Sequence, residues 1–259
     1  MYWRKIERQM AKCSLKNCLF TLDRDLPFLT ANKEEVRMSN QPESNIAISF
    51  SNIHNIITRG LRVSHESVQR FLQRGLEGEE SREGFLNFIR AHTSVMNAHH
   101  LTEDDIVFPY FRDKLPDAPF ESLTYYHHLM VMVLDKINVA VDKCAHEDKL
   151  ETELTNIEKA LAQLKEDWPY HIQPETDEFI NLADALIPVE EQLRLVRLYA
   201  EYDLKNAVPH YLTVPFMLYN LPKEDRVVFS QAMPAEVVQY LVPVVWKEKW
   251  ESMKPYLLA

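Results

Sequence analysis

The chain has 259 residues, 46% of them apolar and 26% charged, with a formal net charge of −10. That apolar content supports a sizeable core, four glycines in the whole chain favour helices over a turn-rich β architecture, and the negative balance argues against nucleic acid as a partner. Cys13, Cys18 and Cys144 make neither a disulfide framework nor a paired-cysteine zinc site, and no apolar run is long enough to span a bilayer, so a cytoplasmic protein with no membrane partner is expected.

Residues 1–45 open on the basic "MYWRKIERQMAKCSLKNCLF", which has neither a continuous apolar stretch nor a small-residue cleavage site. They are expected to be a poorly ordered extension, with Met38 ahead of a polar segment as a candidate start. Residues 46–187 read as four long amphipathic helices. The first carries Phe50, Ile57, Leu61, Val68 and Leu72, and "GLEGEES" breaks it. The second carries Phe85, Ile89, Met96, Ile106 and Tyr110, and ends at "KLPDAP". The third carries Leu123, Met130, Leu134, Ile137 and Val141, and the fourth Ile157, Leu161, Leu164, Trp168, Phe179, Leu182 and Leu186. Each has the three-and-four spacing of a bundle-facing stripe. Short connections make neighbours antiparallel, so the expected fold is all-α, an up-down four-helix bundle. Residues 188–259 are punctuated by proline and read as further short helices, a C-terminal cap without an ionisable cluster of its own.

Most gaps in the stripes are filled by histidine or glutamate. The second helix places His92, His99 and Glu103 on its buried face, the third His127, the fourth His171 and Glu175, and the first His54 and His65. Burying that many ionisable groups without partners costs several kcal/mol each, on the order of the desolvation penalty of a lone polar group or ion, and a metal cation is the economical partner. Of ten histidines, only His99, His100 and His171 have an acid four residues on, namely Glu103, Asp104 and Glu175. Residues four apart sit one turn apart on one helix face, so imidazole and carboxylate can reach the same ion pair. His100 with Asp104 lies about 100° round from that face and reads as a helix flank, with His100 as an additional candidate ligand.

Mirroring the antiparallel helices about their first turn puts His54 within one turn of the His99–Glu103 layer. It places His65 opposite His92, as a second, hydrogen-bonded polar layer. His127 completes the third stripe and His128 falls off it, while His146 and His210 fall in loops. Other chemistries lack their spacing. "HESVQ" has glutamine where a zincin helix needs its second histidine, and no histidine follows a glutamate by three residues, as ferritin-like di-iron bundles require. Phosphate-cradling glycine loops and a nucleophile elbow are absent from the sequence.

Taken in order, "IHNIITRGL", "HHLTEDDIVFPYF", "LTYYHHLMVMVL" and "HIQPETDEF" resemble the hemerythrin family, the HHE cation-binding domain, over residues 46–187. The resemblance implies an antiparallel four-helix bundle with a non-haem, carboxylate-bridged pair of iron ions. Carried over by motif, the ligands would be His54, His99, Glu103, His127, His171 and Glu175, with His100, His128 and His65 as further candidates. Manganese and zinc share this donor chemistry. Two departures stand out. Val131 occupies the position where oxygen-carrying members have a second ligand on the third helix, and Pro169 and Pro174 flank the ligand pair on the fourth, which suggests a helix restarting at Pro169. The expected function is a di-iron protein that binds dioxygen or senses oxygen, iron or redox state. A di-iron oxidase, peroxidase or nitric-oxide-linked repair protein is the enzymatic alternative, for which Tyr125, Tyr126 and Tyr170 lie nearby in sequence. The third reading is a metal-free helical interaction module.

Overall fold

The computed structural model describes residues 45–75, 78–146 and 150–258, so the expected N-terminal extension lies outside the described residues. Asn45 starts the first helix, α1 (Ile46–Arg74), by accepting the Ile48 amide on its side chain at 2.7 Å. Gly75 ends it at φ 80, a left-handed conformation that residues with a Cβ rarely adopt. The second helix, α2 (Gly78–Thr102), continues through a π-helical turn, Glu103–Val107, into a last α-helical turn, Phe108–Phe111. Next come α3 (Phe120–His146) and α4 (Glu151–Glu175), and α4 continues through a second π-helical turn, Thr176–Ile180, into Asn181–Leu186. Each of the four packs on the next and α4 packs back on α1, which closes the bundle; no strand occurs among the described residues.

The two π-turns correct the sequence stripes. A π-turn adds one residue to a helical turn, which advances the buried face by about 100°. From the end of the first one the buried residues are Val107, Phe108 and Phe111, while Ile106 and Tyr110 are only partly covered. From the end of the second they are Phe179, Ile180 and Ala183, and Leu182 and Leu186, expected inside, are each 50% exposed. The expected restart at Pro169 does not occur either, because α4 runs unbroken through Pro169 and Pro174. The carbonyls that the two prolines leave without a donor belong to Lys165 and Tyr170, both solvent-exposed residues, so water can satisfy them.

Five further helices follow: α5 (Val189–Asn206), α6 (His210–Tyr219), α7 (Lys223–Ser230), the π-helical α8 (Val237–Val245) and the single turn α9 (Lys247–Trp250). A 3-10 turn, Glu251–Tyr256, comes last. Buried Gln192 ties the start of α5 to the bundle, accepting the Ile46 amide at 3.1 Å and donating to the Asp184 and Ile187 carbonyls. The chain end is held as firmly. Arg59 of α1 donates to Asn220 and to the Tyr256 carbonyl, and the Leu258 amide donates to the Tyr219 carbonyl at 2.7 Å.

Two apolar clusters fill the bundle. One gathers Phe50, Val107, Phe108, Phe120, Leu123 and Phe179; the other is built on Ile57, Leu61, Met96, Met130, Leu134 and Leu164. A polar layer lies between them.

Candidate metal centre

His54, His99, Glu103, His127, His171 and Glu175 all project into that layer from the four bundle helices, and none is more than 6% exposed. Their donor atoms fall into two groups, His54, His99, Glu103 and Glu175 in one and His100, His127 and His171 in the other, with the atoms of each group within 4.8 Å of one another. The carboxylates connect the groups. Glu103 lies 3.2 Å from His99 Nε2 and 3.1 Å from His127 Nε2, and Glu175 lies 3.2 Å from His54 Nε2 and 3.5 Å from His171 Nε2. Each carboxylate therefore touches one imidazole of either group.

The donor set fits cations. The Nε2 atoms of His54, His99, His127 and His171 and all four oxygens of Glu103 and Glu175 are buried without a hydrogen-bond partner despite those short separations. Their lone pairs are not aimed at each other, and a positive ion between them would satisfy donors that otherwise carry the full desolvation penalty. The charge states agree. Burial holds His99 and His100 well below the ordinary imidazole range and His171 at about 3, so these rings are neutral and free to coordinate. Burial, and then the adjacent Glu175 carboxylate, push Glu103 well above the usual carboxylate range, a repulsion that a shared cation would relieve.

His100 corrects the reading as a helix flank. It is 1% exposed, and its ring stacks on His127 with centroids 4.3 Å apart. His99 meets His54 of α1 at 5.1 Å, so the two successive histidines face the two neighbours of α2. His128 is exposed and outside both groups. His65 does not layer with His92; it pairs with Glu158 of α4 at 3.3 Å. His92 is instead buried against Phe216 of α6 beneath Gly60, and burial pushes it down to about 4. His146 and His210 end and begin helices rather than lying in loops, and the His210 ring contacts the Leu204 carbonyl at 2.7 Å.

Several groups around the layer escaped the sequence reading. His127 Nδ1 lies 3.0 Å from Asp104, which accepts the Thr124 hydroxyl at 2.7 Å. The approach is not a hydrogen bond, because Nδ1, like Nε2, is buried without a hydrogen-bond partner. Trp168 covers His54, His100 and His171 at 5.3–6.2 Å and donates its indole N–H to Thr58 at 2.8 Å. Tyr125 and Tyr170 are 60% and 68% exposed and play no part here. The tyrosine at the layer is Tyr199 of α5, accompanied by Asp203, so the C-terminal helices do bring an ionisable group.

Asp203 accepts the Thr102 hydroxyl, and burial of its carboxyl pushes it from an ordinary 3.8 to about 7. Because the folded value is the higher one, its contribution to stability is complete below the unfolded pKa and is lost as pH rises through about 7. A displacement of that size is worth up to ~4 kcal/mol, less the share screened by solvent reaching the side of the residue that stays uncovered. Asp203→Asn should therefore flatten the pH dependence of urea unfolding of the metal-free protein between about pH 4 and about pH 7; an unchanged slope would show that the carboxyl is not held neutral.

Comparison with curated proteins and with solved structures finds no significant match. Residues 56–183, which begin within α1 just past His54 and end within the continuation of α4, match the family model of the hemerythrin HHE cation binding domain. The chain carries a hemerythrin HHE cation binding domain.

Proposed function

We propose that this is a non-haem di-iron protein that binds dioxygen or reports on oxygen, iron or redox state. His54 and His99 would hold one ion, His100, His127 and His171 the other, and Glu103 and Glu175 would bridge them. The observation that carries this is the placement of each carboxylate between one imidazole of either group. His100 would stand in for the ligand missing at Val131, and His128 and His65 have no place in the set. Manganese and zinc accept the same donors; the hemerythrin domain favours iron.

Bound iron supplies reversible electron exchange with dioxygen. The chain's own residues hold the imidazoles in place and surround the layer with apolar side chains that limit access of water and protons. Replacement of His100 by alanine should lower the iron content from about two to about one per chain; two irons per chain in that variant would return His100 to the helix flank. The first test is metal analysis of anaerobically purified protein, then its visible spectrum as air is admitted. About two irons with a reversible, oxygen-dependent band support oxygen binding. Irreversible oxidation supports sensing, and steady consumption of peroxide or nitric oxide supports the oxidase, peroxidase or repair alternative.

A further inference from the structure

Helix α8 is apolar on every side but covered on only one. Among its residues Val237–Val245 the only polar side chain is Gln239, yet only Leu241 and Val242 are buried. Tyr240, Val244 and Val245 are 53%, 59% and 49% exposed, and Gln239 and Pro243 are exposed with them. A helix that is apolar all round is ordinarily buried all round. The bundle keeps to that rule, since the outward side of α4 carries Thr152, Asn156, Lys159, Gln163 and Glu166. The segment leading into α8 is uncovered as well. No residue from Pro222 to Tyr240 is buried, although Val227, Val228, Phe229, Met233, Val237 and Val238 lie in it. An exposed apolar surface rimmed by polar groups marks an interaction site.

The charges at the two ends of α8 select its partner. Glu236 precedes the helix, Lys247 and Lys249 follow it, all three are exposed, and no charge lies between them. Glu236 makes no ion pair among the described residues, and Lys249 reaches only over the Tyr211 ring, at 4.7 Å. Such a face is complementary to itself when turned end for end. We infer that α8 is a dimer interface, pairing antiparallel with α8 of a second copy of this chain. A dyad between Val242 and Pro243 sets Tyr240 of each copy against Val245 of the other. It also brings Glu236 of each toward the two lysines of the other, the reciprocal contact that a two-fold axis demands. A lipid surface fits less well, because the chain carries a net charge of −10 and Glu224, Asp225, Glu236 and Glu248 flank the apolar residues in sequence. The inference is independent of the di-iron reading.

Sedimentation equilibrium of the full chain over a range of about 1 to about 100 μM tests it. The mass should rise with concentration to twice the 30.5 kDa of one chain. Tyr240→Asp puts a carboxylate into the apolar seam and should leave a monomer across the whole range. Glu236→Lys should weaken the dimer about tenfold, because both end contacts turn from attraction to repulsion. Adding Lys247→Glu and Lys249→Glu to that variant should restore it. Within one copy these positions are about 15 Å apart along the helix, so the rescue reports a contact between copies. All the substituted residues are exposed, so circular dichroism and melting temperature should stay at their wild-type values. A wild-type chain that is monomeric throughout would overturn the inference, and binding of that monomer to phosphatidylcholine and phosphatidylserine vesicles would give the face to lipid instead. A dimer indifferent to Tyr240→Asp, or weakened by Glu236→Lys without rescue by the triple reversal, would overturn it as well.

Discussion

Two equivalents of ferrous iron should raise the melting temperature of the metal-free protein by about 10 °C or more, and the double variant His99→Ala, His171→Ala should not respond. A ligand that binds only the fold stabilises it by about 4 kcal/mol per site at a thousandfold excess over its dissociation constant. In a domain of this size each kcal/mol is worth about 2–4 °C. The metal-free fold also has more to regain than most, because it buries two adjoining carboxylates and several imidazoles without hydrogen-bond partners. The double variant removes one imidazole from each group, so neither ion keeps its full set. Calorimetry alongside metal analysis decides the matter: stoichiometric iron in the double variant would sink the assignment, and a melting temperature indifferent to chelation would favour a metal-free interaction module.

Gly84→Ala should destabilise the protein by about 3 kcal/mol, against the direction that helix propensity alone gives. Alanine in the middle of a helix is worth up to about 1 kcal/mol over glycine. Gly84, however, is where the C-terminal 3-10 turn crosses α2, and an added Cβ would lie 2.0 Å from the Ser252 carbonyl oxygen and 2.8 Å from its carbon. Those are backbone atoms, which cannot swing aside, so the turn must lift, and overpacking of this kind costs ~1–3 kcal/mol or more. Urea unfolding gives the loss directly, and faster amide exchange over residues 251–258 would locate it. A stabilised variant would mean that the chain end is not seated on α2.

Much of the bundle was legible because burial repeats with the helical period. Phe50, Ile57, Leu61, Phe85, Ile89, Met96 and Leu164 are buried as their spacing requires, and His99 with Glu103 and His171 with Glu175 interrupt the stripes at a spacing that lets imidazole and carboxylate share an ion. His100 was misread for a geometric reason. A helix in a four-helix ring has two buried neighbours, so a residue about 100° off one stripe faces the other neighbour rather than solvent. Tyr199 and Asp203 were missed because periodicity says which side of α5 is buried but not what it is buried against. The available signal was their four-residue spacing, in phase with Gln192, Leu195 and Val196. Exposed Leu182 and Leu186 show the limit from the opposite side, since no pattern of apolar residues announced the extra residue in the turn before them.

That extra residue occurs twice, in the turn that opens at Glu103 and in the turn that follows Glu175. Phe108 and Phe111 past the first slip meet Phe179 of the second, so the two faults share one aromatic contact across the bundle. Shortening either helix by one residue would swing its rings about 100° away from that contact and unlatch the end of the bundle.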